Sequence, residues 1–144
     1  MSEQEWGIIL SSHGNLAKEL LKSAEMIAGP QNNVFTIGLY QQDSLNSMIK
    51  KYDDTYKQIK LKNILILTDL DGGTPTNAAV QFALNKESIL VFSGFNLPLL
   101  LELLTNRNEH FEKLKDRIQK DWQVTVIDEV KKYQKFQNEN QEDL

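Results

Sequence analysis

Short apolar runs alternate along this chain with stretches in which apolar residues recur every three or four positions. The runs Gly7 to Ser11, Val34 to Leu39, Asn63 to Thr68 and Ser88 to Phe92 predict strands. Ile64-Leu-Ile-Leu67 and Ile89-Leu-Val-Phe92 are apolar at consecutive positions, as in strands covered on both faces, so these two are expected at the centre of the sheet. Helical stripes lie between the runs: Leu16, Leu20, Ala24 and Ile27, then Leu45, Met48, Ile49, Tyr52, Tyr56 and Ile59. Gly29-Pro30 stops the first helix, and Gly72-Gly-Thr-Pro75 announces a third, with Thr74 as N-cap and Pro75 at the first helical position. Strand and helix in turn predict an α/β fold with a doubly wound parallel sheet.

After Phe92 the pattern changes. Leu97 to Leu104 is interrupted only by Pro98 and Glu102, which suits either a core helix or a subunit contact. Phe111, Leu114 and Ile118 continue as an amphipathic helix, and Trp122 to Ile127 reads as a mixed strand suited to a sheet edge. From Tyr133 onward the chain is polar and reads as a fraying tail or a linker stub. One domain is expected over residues 1–130, with a polar tail over 131–144 and no internal repeat.

Composition narrows the possible chemistry. The 144 residues suffice for a core without covalent staples, and the absence of cysteine excludes disulfides, thiolate catalysis and sulfur-ligated zinc. No apolar stretch approaches the roughly 18 residues of a membrane helix, and Met1-Ser-Glu-Gln-Glu5 is unlike the basic lead of a signal peptide, so a cytoplasmic protein is expected. A net charge of −4 argues against a nucleic-acid partner, whose phosphates require a concentrated basic surface.

Ligands of open α/β sheets bind beyond the carboxyl ends of the strands, where strand order reverses. His13 follows the first apolar run in Leu10-Ser-Ser-His-Gly-Asn15. If the first strand lies beside the third, His13 shares a crevice with Asp69-Leu-Asp-Gly-Gly-Thr-Pro-Thr-Asn77. That loop supplies a carboxylate, then glycines and a helix start whose backbone N–H groups attract anions. A carboxylate accepting one ring N–H leaves the other nitrogen of a neutral imidazole nucleophilic, and a phosphoryl group in flight needs donors for its oxygens. His13, Asp69 and the amides of Gly72, Gly73 and Thr74 offer these parts. Each part has a plainer reading too: a histidine at a strand end is commonly structural, glycine pairs serve turns and caps, and Asp69 can simply cap its loop. Asp71 reads as a solvated turn residue and His110 as part of a polar helix start, while the two histidines show no metal-ligand spacing, so neither metal nor cofactor is expected.

Ser11-Ser-His-Gly-Asn-Leu-Ala-Lys-Glu-Leu20 with Ala24-Glu-Met-Ile-Ala-Gly29, then Thr68-Asp-Leu-Asp-Gly-Gly-Thr-Pro-Thr-Asn-Ala-Ala79 and Ser93-Gly-Phe-Asn-Leu-Pro-Leu99, resembles the IIA component of mannose-type sugar phosphotransferase systems from about Trp6 to about Val130. The resemblance implies a flavodoxin-like sheet in the order 2-1-3-4, completed by an antiparallel strand near Gln123 to Ile127 exchanged between the subunits of a homodimer. It implies a phosphotransferase relay, in which His13 takes a phosphoryl group from the carrier protein HPr and passes it to a IIB component, and so indirectly to membrane permease components. Asp69 falls on the partner carboxylate and Gly72, Gly73 and Thr74 on the phosphoryl-binding loop, with Ser12, Gly14 and Asn96 lining the same face. Such a relay needs a shallow docking surface. Two departures stand out: Asp71 where relatives often carry a bulky apolar residue, and Thr74 for the more usual serine. The phosphoryl-transfer subunit of dihydroxyacetone kinases is a related alternative. A non-enzymatic flavodoxin-like module is another, but Ser11 and Ser12 supply no carboxylates for a receiver's magnesium, and only Phe95 is available to stack on a flavin.

Overall fold

The computed structural model describes residues 5–121 and 126–142. β1 (Trp6–His13) leads into α1 (Leu16–Ala28), β2 (Val34–Leu39), α2 (Leu45–Ile59), β3 (Asn63–Thr68), α3 (Gly73–Ala83) and β4 (Ile89–Ser93), and α4 (Leu97–Leu104), α5 (Phe111–Asp121) and α6 (Glu129–Glu142) follow. The strands are parallel in the order β2-β1-β3-β4, so the chain reverses its winding at β1 and β3. This is the doubly wound α/β sheet expected.

Alternation along the strands divides the core in two. Trp6, Ile8, Leu10, Leu65 and Leu67 face α1, α4 and α5, meeting Ala17, Ala24, Leu100, Leu103, Leu114 and Ile118. Ile9, Ile37, Ile64 and Ile66 face α2 and α3, meeting Met48, Tyr52, Ala78, Ala79 and Phe82. Burying side chains of this size contributes about 1.5–3 kcal/mol each, which fixes the register of the central strands and with it the position of their carboxyl ends. Leu99, Leu100, Leu103 and Leu104 are all buried, so α4 is a core helix.

Several expectations are corrected. β4 lies outside β3 and its residues Ile89–Phe92 are half-buried, so its continuous apolar run marks an outer strand and the central pair is β1 with β3. In α1 the inward stripe is Ala17, Leu20, Leu21, Ala24 and Ala28, while Leu16 and Ile27 are 54% and 66% exposed. The small alanines select this phase because they let the helix approach the sheet closely. The polar tail is helical: Asp128 caps α6, its Oδ1 accepting from Lys131 N at 3.0 Å, and the residues of 126–140 are exposed. The expected late strand falls mainly on residues 122–125, outside the described residues, and Val126 and Ile127 are not in a strand.

Candidate functional site

His13 is the last residue of β1, two positions beyond the predicted end of that strand. Pairing with β3 stops at Ser11 and Thr68, whereas β1 continues beside β2, with Ser12 opposite Gly38 and His13 opposite Leu39. The one-sided extension carries His13 past the end of β3 and over the loop that begins at Asp69. Ser12, fully buried, accepts from Ala17 N at 2.8 Å through its Oγ and donates to the Gly14 carbonyl at 3.4 Å. Its hydroxyl therefore closes the turn into α1. Gly14 makes that turn with φ +57°, in the left-handed region that glycine enters without penalty, and its N–H donates to Leu39 O at 2.8 Å.

Asp69 Oδ2 accepts from His13 N at 3.0 Å and lies 2.8 Å from His13 Nδ1, while Oδ1 accepts from Leu70 N at 3.1 Å. Its side chain is 7% exposed and that of His13 is 49% exposed. Burial pushes the Asp69 carboxyl up, but the hydrogen bonds from the His13 amide and ring, and the charge of that ring whenever it is protonated, hold the group below its ordinary range. An ionised carboxylate only accepts, so the proton between the two groups sits on Nδ1 and Nε2 of the neutral ring carries the lone pair. A half-exposed imidazole is open to reaction with a large partner.

The start of α3 lies beside that free nitrogen. Gly72 and Gly73 have φ of +78° and +77°, and a Cβ built on Gly73 would stand 3.1 Å from His13 Cε1 and 3.5 Å from Nε2. Only a residue without a side chain lets this backbone approach the ring. The helix begins at Gly73 with Gly72 as N-cap, which corrects Thr74 as the cap: Thr74 lies in the first turn, half-buried. Pro75 is the third helical residue, where its missing N–H costs nothing because the first amides of a helix have no intrahelical partner. Those amides and the positive end of the helix dipole make the region beside Nε2 receptive to an anion.

Contacts that periodicity alone does not announce hold this loop down. Thr76 Oγ1 donates to Leu70 O at 2.6 Å and accepts from Thr68 Oγ1 at 2.7 Å, and the buried Tyr52 hydroxyl donates to Pro75 O at 2.7 Å. Tyr52 belongs to the apolar stripe of α2, and long-range contact is what ties it and Thr76 to the site. Tyr40 donates to Asn15 Oδ1 and so reaches the turn after His13, a link with no local sequence signal. Asn96 is N-cap of α4, its Oδ1 accepting from Leu99 N at 2.9 Å, so its carbonyl serves the helix. The loop before it is tied to the same end of the sheet, since Gly94 N and Phe95 N both donate to Thr68 O, at 2.9 and 3.1 Å. Asp71 is exposed, and His110 sits at the start of α5, where its carbonyl accepts from Lys113 N at 3.0 Å. Among the described residues no three His, Cys, Asp or Glu side chains cluster so as to hold a metal ion.

The family model described as PTS system fructose IIA component matches residues 7–119. The fructose-specific EIIA component of the phosphotransferase system of Bacillus subtilis (strain 168) is 36% identical over 110 residues, covering 76% of this chain and 74% of that protein. The mannose-specific EIIAB component of Escherichia coli (strain K12) is 37% identical over 103 residues, covering 71% of this chain but 32% of that protein, so the match spans about a third of the longer relative. Among solved structures, the phosphotransferase system component EIIA from Streptococcus agalactiae superposes with a TM-score of 0.79 at 33% identity, covering 88% of this chain and 98% of that one.

Proposed function

The chain belongs to the mannose-type IIA family of the sugar phosphotransferase system, and from that membership we propose that it is a phosphocarrier that takes a phosphoryl group from phospho-HPr on His13 and delivers it to a IIB component. The observation that carries the reading is the 2.8 Å contact between His13 Nδ1 and Asp69 Oδ2, which leaves Nε2 as the nucleophile. In the forward step the Nε2 lone pair attacks phosphorus, the N–P bond to His13 forms as the bond to the donor breaks, and the leaving group takes the electron pair. Nothing is oxidised or reduced, and the Nδ1 proton stays donated to Asp69. Amides at Gly72, Gly73 and Thr74 receive the phosphoryl oxygens, and the same groups serve the reverse attack by IIB.

The relatives named above are sugar-transport components, which favours this relay over a role in a dihydroxyacetone kinase. The reading extends to a cytoplasmic homodimer that meets membrane permease components only through IIB. Among the described residues no helix is long and apolar enough to cross a membrane. The test is reconstitution of both halves of the relay: phosphorylated protein freed of donor loses its label to added IIB. Retention of the label with an active IIB counts against the function.

A further inference from the structure

The residues after His13 are gripped from one side by the end of β2. Gly14 N donates to Leu39 O, and a Cβ on Gly38 would lie 2.5 Å from Gly14 O, so the two segments touch through backbone atoms that cannot give way. One residue further on, the Tyr40 hydroxyl donates to Asn15 Oδ1 at 2.5 Å. Asn15 is the N-cap of α1, yet its side chain makes no capping hydrogen bond. Asparagine at that position ordinarily satisfies one of the first helix amides. Here Ser12 Oγ takes the Ala17 amide and the Asn15 side chain turns to Tyr40. The local use of Asn15 has been exchanged for a tie across the sheet.

Tyr40 is itself braced. Lys51 of α2 donates from Nζ to Gly38 O at 2.9 Å and to Asp43 Oδ2 at 2.7 Å, Asp43 Oδ2 accepts from Tyr40 N at 2.8 Å, and the Lys51 ammonium stands 5.3 Å from the centroid of the Tyr40 ring. A continuous path therefore runs from α2 through the 38–43 segment to the turn that carries His13. Asp69 holds the ring and amide of His13 from the β3 side, and the turn after it is held from the β2 side.

We infer that Tyr40 is a positioning residue for transfer at His13: through Asn15 it holds the His13-Gly14-Asn15 turn so that Nε2 keeps its place beside Gly73. The inference rests on His13 as the phosphoryl acceptor. Tyr40 reaches the His13 turn through Asn15, and the residue is 42% exposed, so Tyr40→Phe removes the hydroxyl and keeps the ring beside Lys51.

The experiment compares single-turnover phosphorylation of wild type, Tyr40→Phe, Asn15→Ala and the double variant by phospho-HPr over a range of donor concentrations, with melting temperatures recorded for each. The maximal rate is expected to fall about three- to tenfold in either single variant, the worth of one hydrogen bond, with the half-saturating donor concentration unchanged. The double variant is expected to be no slower than the worse single variant, because both delete one interaction. A lowered melting temperature with an unchanged maximal rate overturns the inference in favour of a purely structural tie. A raised half-saturating concentration at unchanged maximal rate overturns it in favour of a docking contact, and additive losses overturn it as well. Wild-type protein that takes no phosphoryl group on His13 overturns the relay itself, whereas normal wild-type labelling with a full-rate Tyr40→Phe overturns this inference alone.

Discussion

A single oxygen, Asp69 Oδ2, holds His13 at two points, accepting the backbone N–H at 3.0 Å and lying 2.8 Å from Nδ1 of the ring. The main-chain bond fixes where the residue stands and the ring bond fixes which nitrogen is free. Asp69→Asn keeps the shape and removes the charge that stabilises a ring becoming positive as it is attacked or leaves. Phosphorylation at His13 is expected to slow by about 10- to 100-fold, the usual cost of losing an orienting carboxylate, with an unchanged circular dichroism spectrum. Stopped-flow or quench-flow labelling reads the rate; a variant as fast as wild type contradicts the role.

Gly73→Ala tests the close approach of α3. The new methyl would crowd His13 Cε1 at 3.1 Å while sitting on a backbone at φ +77°. A side chain in the left-handed region costs about 1–2 kcal/mol, visible as a lower urea midpoint. Labelling is expected to fall by more than stability alone explains, because the ring must turn aside from the helix start. Imidazole resonances in the NMR spectrum report that rotation, and an unmoved ring would count against it.

The acid side of the stability curve carries a signature of Lys51. Its hydrogen bond, with that of the Tyr40 amide, lowers the Asp43 carboxyl to about 2, against about 3.9 for an unfolded aspartate. Because the unfolded chain binds this proton more readily, the contribution is whole above the unfolded value and disappears as pH falls through the folded one. Lys51→Met is expected to move the Asp43 titration upward and to flatten the pH dependence of stability in that window. Carbon-detected NMR of the Asp43 carboxyl follows the shift, and a carboxyl that stays near its present value would show the backbone amide to be sufficient.

Subunit association is expected from the apolar side chains left in water. Val130, Tyr133 and Phe136 of α6 are 69%, 62% and 59% exposed, and β4 is the outer strand on its side of the sheet among the described residues. The full chain is expected to sediment as a dimer at micromolar concentration, persisting on tenfold dilution. Monomer throughout would remove the homodimer from the proposal.

Much of this architecture was legible because burial on both faces leaves a direct mark on composition. Ile64 to Leu67 and the loop beginning at Asp69 could be placed from the sequence, and the pairing of β1 with β3 then brought His13 to Asp69. Misreadings arose where local chemistry served a distant contact. The apolar run ends at Ser11, so Ser12 and His13 read as the turn beyond the strand, yet Ser12 is fully buried and β1 runs on to His13. Thr74 had the residue type of a cap, but consecutive positive φ values at Gly72 and Gly73 started the helix earlier. In α1, Leu20 and Ala24 of the expected stripe do face the sheet, but Leu16 and Ile27 at its ends give way to Ala17, Leu21 and Ala28. Tyr40 and Asn15 lie 25 positions apart, and no local pattern announces their bond.

The central claim is tested most directly by incubating the protein with phospho-HPr and mapping the modified residue by mass spectrometry under alkaline conditions, which preserve phosphohistidine. The account predicts one phosphoryl group, on His13, with none acquired by His13→Ala although that variant keeps its fold; labelling of His13→Ala at the wild-type rate would contradict it.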